Sequence, residues 1–198
     1  MSAELLLHSS LPPVQRQPFC GVVVALPTVP DIDLALQRFA RLPKTILLDS
    51  ARRDEKLGRY SYLMADPFEW IECSIEQAEQ SLTSSLGQPF VEVARAVQKY
   101  ATATIDELPP FQGGAAGLFS YDLLHAVERV PRHGVDEFQT PALTVGLYDV
   151  VLAIDHVQNR AWIISHGWPE SDSKARHRRA QERAEQFQAW LAGSAGDT

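Results

Sequence analysis

The sequence predicts an α+β fold, a largely antiparallel sheet with helices on one face. Three observations carry this. Three strand-like runs follow one another between residues 45 and 73, the pattern of an antiparallel meander. A long β-type run from Leu143 to Ile154 leads into Ala161–Ser165 through His156–Arg160, which reads as a hairpin. Two helical stripes, near residues 90–100 and 173–192, supply the covering layer.

The elements follow in order. Residues 1–19 carry Pro12, Pro13 and Pro18 with little periodicity and form an irregular lead-in. Gly21–Leu26 is a short β-branched strand. A helix starts at Asp31, has Leu36, Phe39 and Ala40 on one face, and is stopped by Pro43. Thr45–Ser50 is a continuous apolar run and reads as a buried strand, followed by a polar loop from Ala51 to Gly58. Arg59–Met64 and Phe68–Cys73 are strands separated by the Asp66-Pro67 turn. After Gln88-Pro89, the residues Phe90, Val93, Ala94, Val97 and Tyr100 form an amphipathic stripe. Gly113–Tyr121 is compact and rich in small residues, and Asp122–Arg129 is a short helical pattern. The last helix, 173–192, places Ala180, Ala184, Phe187 and Leu191 on one face. Its first half is basic through Arg176, Arg178, Arg179 and Arg183, and is expected to be a solvated face. Residues 193–198 are tail or linker material.

The 198 residues are 45% hydrophobic and 22% charged, with a formal net charge of −7. A chain this long buries about 70% of the surface its unfolded form exposes, so it supports a core and is not generally disordered. The acidic balance argues against a nucleic-acid-binding surface. Cys20 and Cys73 are too few for a disulfide scaffold and read as free thiols. Leu5-Leu6-Leu7 is too short for a signal peptide, and no run approaches the length of a membrane span. The expectation is a soluble cytoplasmic protein with neither a nucleic-acid nor a membrane partner.

Most candidate chemistry fails on pattern. Gly113, Gly114 and Gly117 lack the following Lys-Ser or Lys-Thr of a phosphate loop, so they read as close backbone packing. Ser120 sits between bulky neighbours rather than in Gly-x-Ser-x-Gly, so no nucleophile elbow exists. His125, His133, His156, His166 and His177 show no i, i+4 spacing, and neither cysteine lies in a Cys-x-x-Cys pair. Asp149 and Asp155 lie six residues apart, but strand-end carboxylates are ordinarily structural. No catalytic, cofactor-binding or metal-binding residue is assigned in this chain.

One constellation suits ligand binding. Ile46-Leu-Leu runs into Asp49-Ser50, and a charged loop returns to Arg59-Tyr60-Ser61. If the flanking strands pair, a carboxylate, hydroxyls, a guanidinium and an aromatic ring converge on one loop. Those groups would hold a small zwitterion: Asp49 for an ammonium, Arg59 for a carboxylate. An ordinary strand-end salt bridge would explain the same residues.

Three ordered blocks carry a family resemblance. They are Ile46–Ser50 through Gly58-Arg-Tyr60 to Ala65-Asp-Pro67; Leu108–Leu123 with Glu128 and Pro131; and Pro141–Asp149 through Ile154-Asp-His156. Over roughly residues 20–190 the chain resembles the amino-terminal domain of the chorismate-utilising synthases. Phe111-Gln-Gly-Gly followed by Gly117-Leu-Phe-x-Tyr-Asp points to the aminodeoxychorismate branch rather than to anthranilate synthase. The resemblance implies a fold like half of an αββα sandwich. It also implies a parent enzyme that, with a glutamine amidotransferase, converts chorismate to 4-amino-4-deoxychorismate for para-aminobenzoate and folate synthesis.

In the family, chorismate, Mg2+ and the catalytic residues belong to a carboxy-terminal chorismate-binding domain without counterpart in these residues. Residues 20–192 are therefore expected to be a non-catalytic scaffold whose open sheet face awaits that domain. Family members hold a tryptophan in a pocket walled partly by this domain. The matching positions are Asp49, where the anthranilate synthase pattern has Glu, with Ser50, Arg59, Tyr60 and Ser61. An independent amino-acid-binding regulatory module, or the equivalent anthranilate synthase domain, fits the same residues.

Overall fold

The computed structural model describes residues 14–54, 57–82, 89–131 and 137–193. Most of the lead-in, nearly all of the tail, Gln88 and His133 lie outside the described residues. The strands are β1 (Val22–Ala25), β2 (Ile46–Leu48), β3 (Tyr60–Met64), β4 (Glu69–Cys73), β5 (Gly114–Phe119), β6 (Leu143–Tyr148), β7 (Val150–Asp155) and β8 (Arg160–Ser165). The helices are α1 (Ile32–Phe39), α2 (Ile75–Ser81), α3 (Pro89–Lys99) and α4 (Ser173–Ala192), with a 3-10 helix at Tyr121–Ala126. The class is α+β, and every strand–strand pairing is antiparallel.

The strands divide between two sheets, ordered β1-β8-β7-β3-β2 and β4-β6-β5. This corrects two sequence readings. The expected meander breaks at Asp66, whose φ of +54° turns the chain, so β4 pairs with β6 rather than with β3. The long run Leu143–Ile154 breaks at Asp149, sending β6 into one sheet and β7 into the other. Asp149 is the one charged residue in that run, and because both strands it joins are buried the pattern alone does not reveal the corner.

Both faces of the three central strands β8, β7 and β3 are covered, and the expected open face is reduced to Val23 and Leu48 on the edge strands. On one face, Leu63, Leu152, Ile154 and Ile163 pack against Phe39 of α1 and Phe187 of α4. On the other, Tyr62, Val151, Trp162 and Ile164 pack with Tyr148 and Ala116 of the second sheet, and Phe111 closes the layer. The three-stranded sheet rests Ile71, Val145 and Leu147 on α2, α3 and the 3-10 helix. Exposed apolar groups occur instead at and near edge strand β5, with Phe119 half exposed and Tyr121 and Phe138 almost wholly so. Gly117 shows why β5 is rich in small residues: a Cβ there would lie 2.0 Å from the Thr144 carbonyl oxygen.

Local signals account for the helix ends. Asp31 accepts a hydrogen bond from Leu34 N at 2.9 Å and caps α1. Helix α3 starts on Pro89, where the missing N–H is no loss. Helix α2 has no counterpart in the sequence reading, although its signal was present: Ser74 and Gln77 form a reciprocal capping box. Asp172 opens α4, and Gly193 closes it at φ +77°.

The basic half of α4 is a solvated face only at Arg178; its other three arginines turn inward. Arg176 and Arg183 are buried, and Arg176 stacks 3.6 Å from the Trp168 ring centroid. Arg176, Arg179 and Arg183 recur at i, i+3 and i+7, a spacing that puts all three on the inward side. Their guanidinium groups donate to the His166 carbonyl (3.0 Å), the Trp168 carbonyl (2.8 Å) and the Asp66 carboxylate (2.8 Å). Arginine can take a core-facing position because its stem packs while its fork satisfies carbonyls and carboxylates.

Candidate functional site

The antiparallel pairing of β2 with β3, and of β3 with β7, brings the ends of three strands to one point. Ile46 pairs with Met64 and Leu48 with Tyr62, so Asp49 emerges beside the start of β3. Tyr60 pairs with Asp155, so His156 follows at the same edge, its N–H donating to the Arg59 carbonyl at 2.9 Å. The loop after Asp49 folds back and supplies Arg53. Asp49, Arg53, Arg59, Tyr60, Ser61, Asp155 and His156 thus gather from positions up to 107 residues apart in sequence.

The five expected residues are brought together, but not with the expected partners. Asp49 and Arg59 do not pair with each other. The Arg53 guanidinium donates to Asp49 at 2.6 and 3.3 Å. Arg59 donates from Nε at 3.0 Å and from Nη2 at 2.7 Å to one oxygen of Asp155. The other oxygen of Asp155 accepts the backbone N–H groups of Val157 and Gln158, both at 3.0 Å, which shapes the β7–β8 hairpin. Tyr60 lies under the Arg59 guanidinium, 4.9 Å from ring centroid to Cζ. The Ser50 hydroxyl donates to the Leu57 carbonyl at 3.2 Å and tethers the loop.

Ser61 is fully buried at the centre of the cluster. Its hydroxyl donates to the Asp49 carboxylate, which can only accept. Arg53 can only donate, and does so to the Ser61 oxygen at 3.2 Å. With the hydroxyl proton committed to Asp49, His156 Nε2, 2.5 Å away, must be the donor and carry the proton. The hydroxyl therefore makes one donation and accepts two hydrogen bonds, which saturates it. Ser61 positions Asp49 rather than offering itself to a ligand, and it has no free lone pair for nucleophilic attack.

The electrostatics agree with this wiring. Burial pushes the Asp49 carboxyl up, but the hydrogen bonds from Arg53 and Ser61 outweigh it and hold the pKa below its usual value. Asp155 is held low in the same way by Arg59 and the two backbone N–H groups, against the effect of burial. The His156 imidazole is pushed down, first by burial and then by the Arg53 cation. At neutral pH the cluster holds two carboxylates, two guanidiniums and a neutral imidazole. A shallow recess of about 330 Å3, lined by Ser50, Arg52, Asp54 and Leu57, adjoins it.

A Ser61→Ala substitution is expected to lower the unfolding free energy by about 1–3 kcal/mol, because Asp49 and His156 lose a buried partner. Urea denaturation measures this, and a change within a few tenths of a kcal/mol would rule out the saturated network.

The other candidates are placed elsewhere. Ser120 donates to the Ala142 carbonyl at 3.0 Å and has no histidine partner in that bond. Asp149 and Asp155 lie at opposite ends of β7 and face different guanidiniums, so they form no acid/base pair. Among the described residues no group of three or more His, Cys, Asp or Glu side chains could hold a metal ion. No helix among the described residues is long and apolar enough to cross a membrane. Sequence reasoning missed Arg53 as the partner of Asp49, although its i, i+4 spacing was legible. It could not see His156 joining Ser61 across 95 residues.

No family model matches the chain. Aminodeoxychorismate synthase component 1 of Bacillus subtilis is 30% identical over 143 residues, covering 68% of this chain and 29% of the relative. The protein of the same name from Escherichia coli is 30% identical over 65% of this chain and 30% of its own length. Anthranilate synthase component 1 of Acetivibrio thermocellus is 30% identical over 72% of this chain and 31% of its own. Among solved structures, anthranilate synthase component I from Streptococcus pneumoniae TIGR4 aligns over 76% of this chain and 33% of its own, with a TM-score of 0.43 and 16% identity. The chain thus spans about a third of the length of the curated relatives it matches. By sequence it is thus related, over about two thirds of its length, to the component 1 proteins of aminodeoxychorismate and anthranilate synthases.

Proposed function

We propose that this chain is the amino-terminal domain of an aminodeoxychorismate synthase component I. The observation that carries this reading is the 30% identity to two relatives of that name over about two thirds of the chain. Phe111-Gln-Gly-Gly and Gly117-Leu-Phe-x-Tyr-Asp favour this branch over the anthranilate branch, whose relatives are equally similar overall. The domain acts as a scaffold for a carboxy-terminal chorismate-binding domain, which holds Mg2+. With a glutamine amidotransferase, the complete enzyme converts chorismate to 4-amino-4-deoxychorismate for para-aminobenzoate synthesis in the cytoplasm. In that enzyme the edge formed by Asp49, Ser50, Arg59, Tyr60 and Ser61 is one wall of a tryptophan-type pocket.

The chain alone is expected to show no turnover of chorismate with ammonia and Mg2+. Adding the remaining two thirds of the Bacillus subtilis relative should restore 4-amino-4-deoxychorismate, followed by chromatography. If the two pieces neither associate nor complement, the scaffold role is wrong. If the restored product is anthranilate, the branch is wrong and the family role stands.

A second reading is favoured by the Asp49–Arg53–Ser61–His156 cluster: an amino-acid-binding regulatory module that works without the rest of the enzyme. A ligand ammonium would have to displace Arg53 from Asp49. Calorimetry of the chain with millimolar tryptophan tests it. Saturable heat that disappears in Asp49→Asn supports the module, and no heat removes it.

A further inference from the structure

A second recess lies at the other end of the five-stranded sheet from Arg59 and Asp155, about 15–20 Å away along β7. Its volume of about 370 Å3 is in the range of small-ligand sites. It is built from six separate chain segments. Phe68, Tyr100 and Trp168 form an aromatic wall, their rings meeting edge to face at centroid distances of 4.9 and 5.2 Å. Gly113 and Gly114 line the opposite side at φ +130° and +119°, and a Cβ on Gly114 would meet nothing within 4 Å. The lead-in segment crosses the mouth, held by Gln17 N to the Ala101 carbonyl at 2.9 Å and Ala103 N to the Gln17 carbonyl at 2.8 Å. That clamp brings Arg16 to the recess.

The charge balance of this recess is one-sided. Arg16 lines it and has no hydrogen-bond or ion-pair partner among the described residues. No aspartate or glutamate lines it. His166 contributes no charge at neutral pH, because burial pushes its imidazole down to about 4. Its Nε2–H is committed to the Gln112 carbonyl at 2.7 Å. The Gln112 side chain is itself committed to Ile105 and Pro109. One face of Trp168 already carries the Arg176 guanidinium at 3.6 Å and one face of Tyr100 the Lys99 ammonium at 4.7 Å, so the recess offers the remaining aromatic surface and, among its lining residues, one unpaired cation, Arg16.

We propose that this recess binds a small aromatic carboxylate, the ring against Phe68, Tyr100 and Trp168 and the carboxylate on Arg16. A ligand ammonium finds no counter-ion here, so the site selects against amines and zwitterions. That is the reverse of the Asp49 edge, and the proposal stands independently of the reading given above for that edge.

The test titrates the full chain with indole-3-propionate, tryptamine and tryptophan, followed by backbone amide NMR. Indole-3-propionate should give saturable shifts at Thr102, Gly113, Gly114 and the Trp168 indole N–H, with tryptamine and tryptophan at least about tenfold weaker at those signals. Arg16→Gln should weaken indole-3-propionate about tenfold and abolish its advantage over tryptamine. Ala103→Phe should fill the recess and remove binding while the spectrum stays dispersed. Should that variant unfold, the exposed Arg16 still carries the test. Three outcomes overturn the proposal: no shifts at these residues with millimolar indole-3-propionate, equal binding of tryptamine, or unchanged affinity in Arg16→Gln. Shifts confined to Asp49–Ser61 with tryptophan would support the zwitterion edge and count against this recess.

Discussion

Replacing Arg183 with methionine is expected to lower the unfolding free energy by about 3–5 kcal/mol, the cost of stripping one partner from a buried ion pair. Arg183 is buried on the inner side of α4 and donates to the Asp66 carboxylate at 2.8 Å and the Asp66 carbonyl at 2.9 Å. Its Nε lies 3.4 Å from Asp149, which is wholly buried at the corner where β6 passes into β7. The neighbouring Arg179 Nε is 3.7 Å away. Burial pushes the Asp149 carboxyl up, and the two guanidiniums only partly offset this. Methionine keeps the packing against Phe187 and Trp190 but leaves Asp149 with one distant cation.

The sign of the pH dependence follows. A carboxyl whose folded pKa is raised contributes stability that is fully present below its unfolded value and lost as pH rises through the folded one. The penalty of Arg183→Met should therefore shrink as the pH is lowered from 7 toward 5, comparing variant and wild type at each pH. Asp149→Asn in the Arg183→Met background should restore part of the loss, since it removes the stranded charge. Urea denaturation of all four proteins measures the cycle. A penalty below about 1 kcal/mol, the scale of an exposed pair, would show that the buried pair is not holding the corner.

The wild-type protein is expected to lose about 3 kcal/mol of stability between pH 6.5 and 4 from His166 alone. The ring is buried, meets Phe19 edge-on at 5.1 Å, and its Nδ1 has no hydrogen-bond partner. Burial pushes its pKa down to about 4, the hydrogen bond to Gln112 opposes this, and the Arg176 cation adds to it. The unfolded chain binds the proton near pH 6.5 while the folded chain resists it, so stability falls as pH falls through that window. His166→Gln retains an N–H donor for the Gln112 carbonyl and has no proton to take up. Its stability at pH 7 should drop modestly, and its loss between pH 6.5 and 4 should be smaller by about 3 kcal/mol. Parallel pH profiles for the two proteins would place the acid sensitivity elsewhere.

Local features of the fold were legible wherever one residue or one period decides. Asp31, Pro89 and Gly193 mark helix ends because a cap needs only its own side chain or φ angle. The Ser74–Gln77 capping box is equally local, but the helix it opens is only seven residues long, too short for a helical period to stand out. The candidate edge was legible in part. Asp49, Ser50, Arg59, Tyr60 and Ser61 do meet, since β2 and β3 are close in sequence and pair directly. Of their partners only Arg53 was legible, four residues from Asp49; Asp155 and His156 arrive from the end of β7, almost a hundred residues away.

By itself the sequence determined the α+β class, the β7–β8 hairpin and the kinship with component 1 proteins, because composition, periodicity and ordered motifs are properties of the chain. The tertiary structure decided which sheet each strand joins, and it turned three arginines of α4 inward. It also saturated the Ser61 hydroxyl and opened a recess between the lead-in, α3, the glycine pair and Trp168. Each of these depends on a contact between distant segments. Burial then sets the result: a charge or hydroxyl removed from water must find whatever partner the packing brings, and no local pattern names that partner in advance.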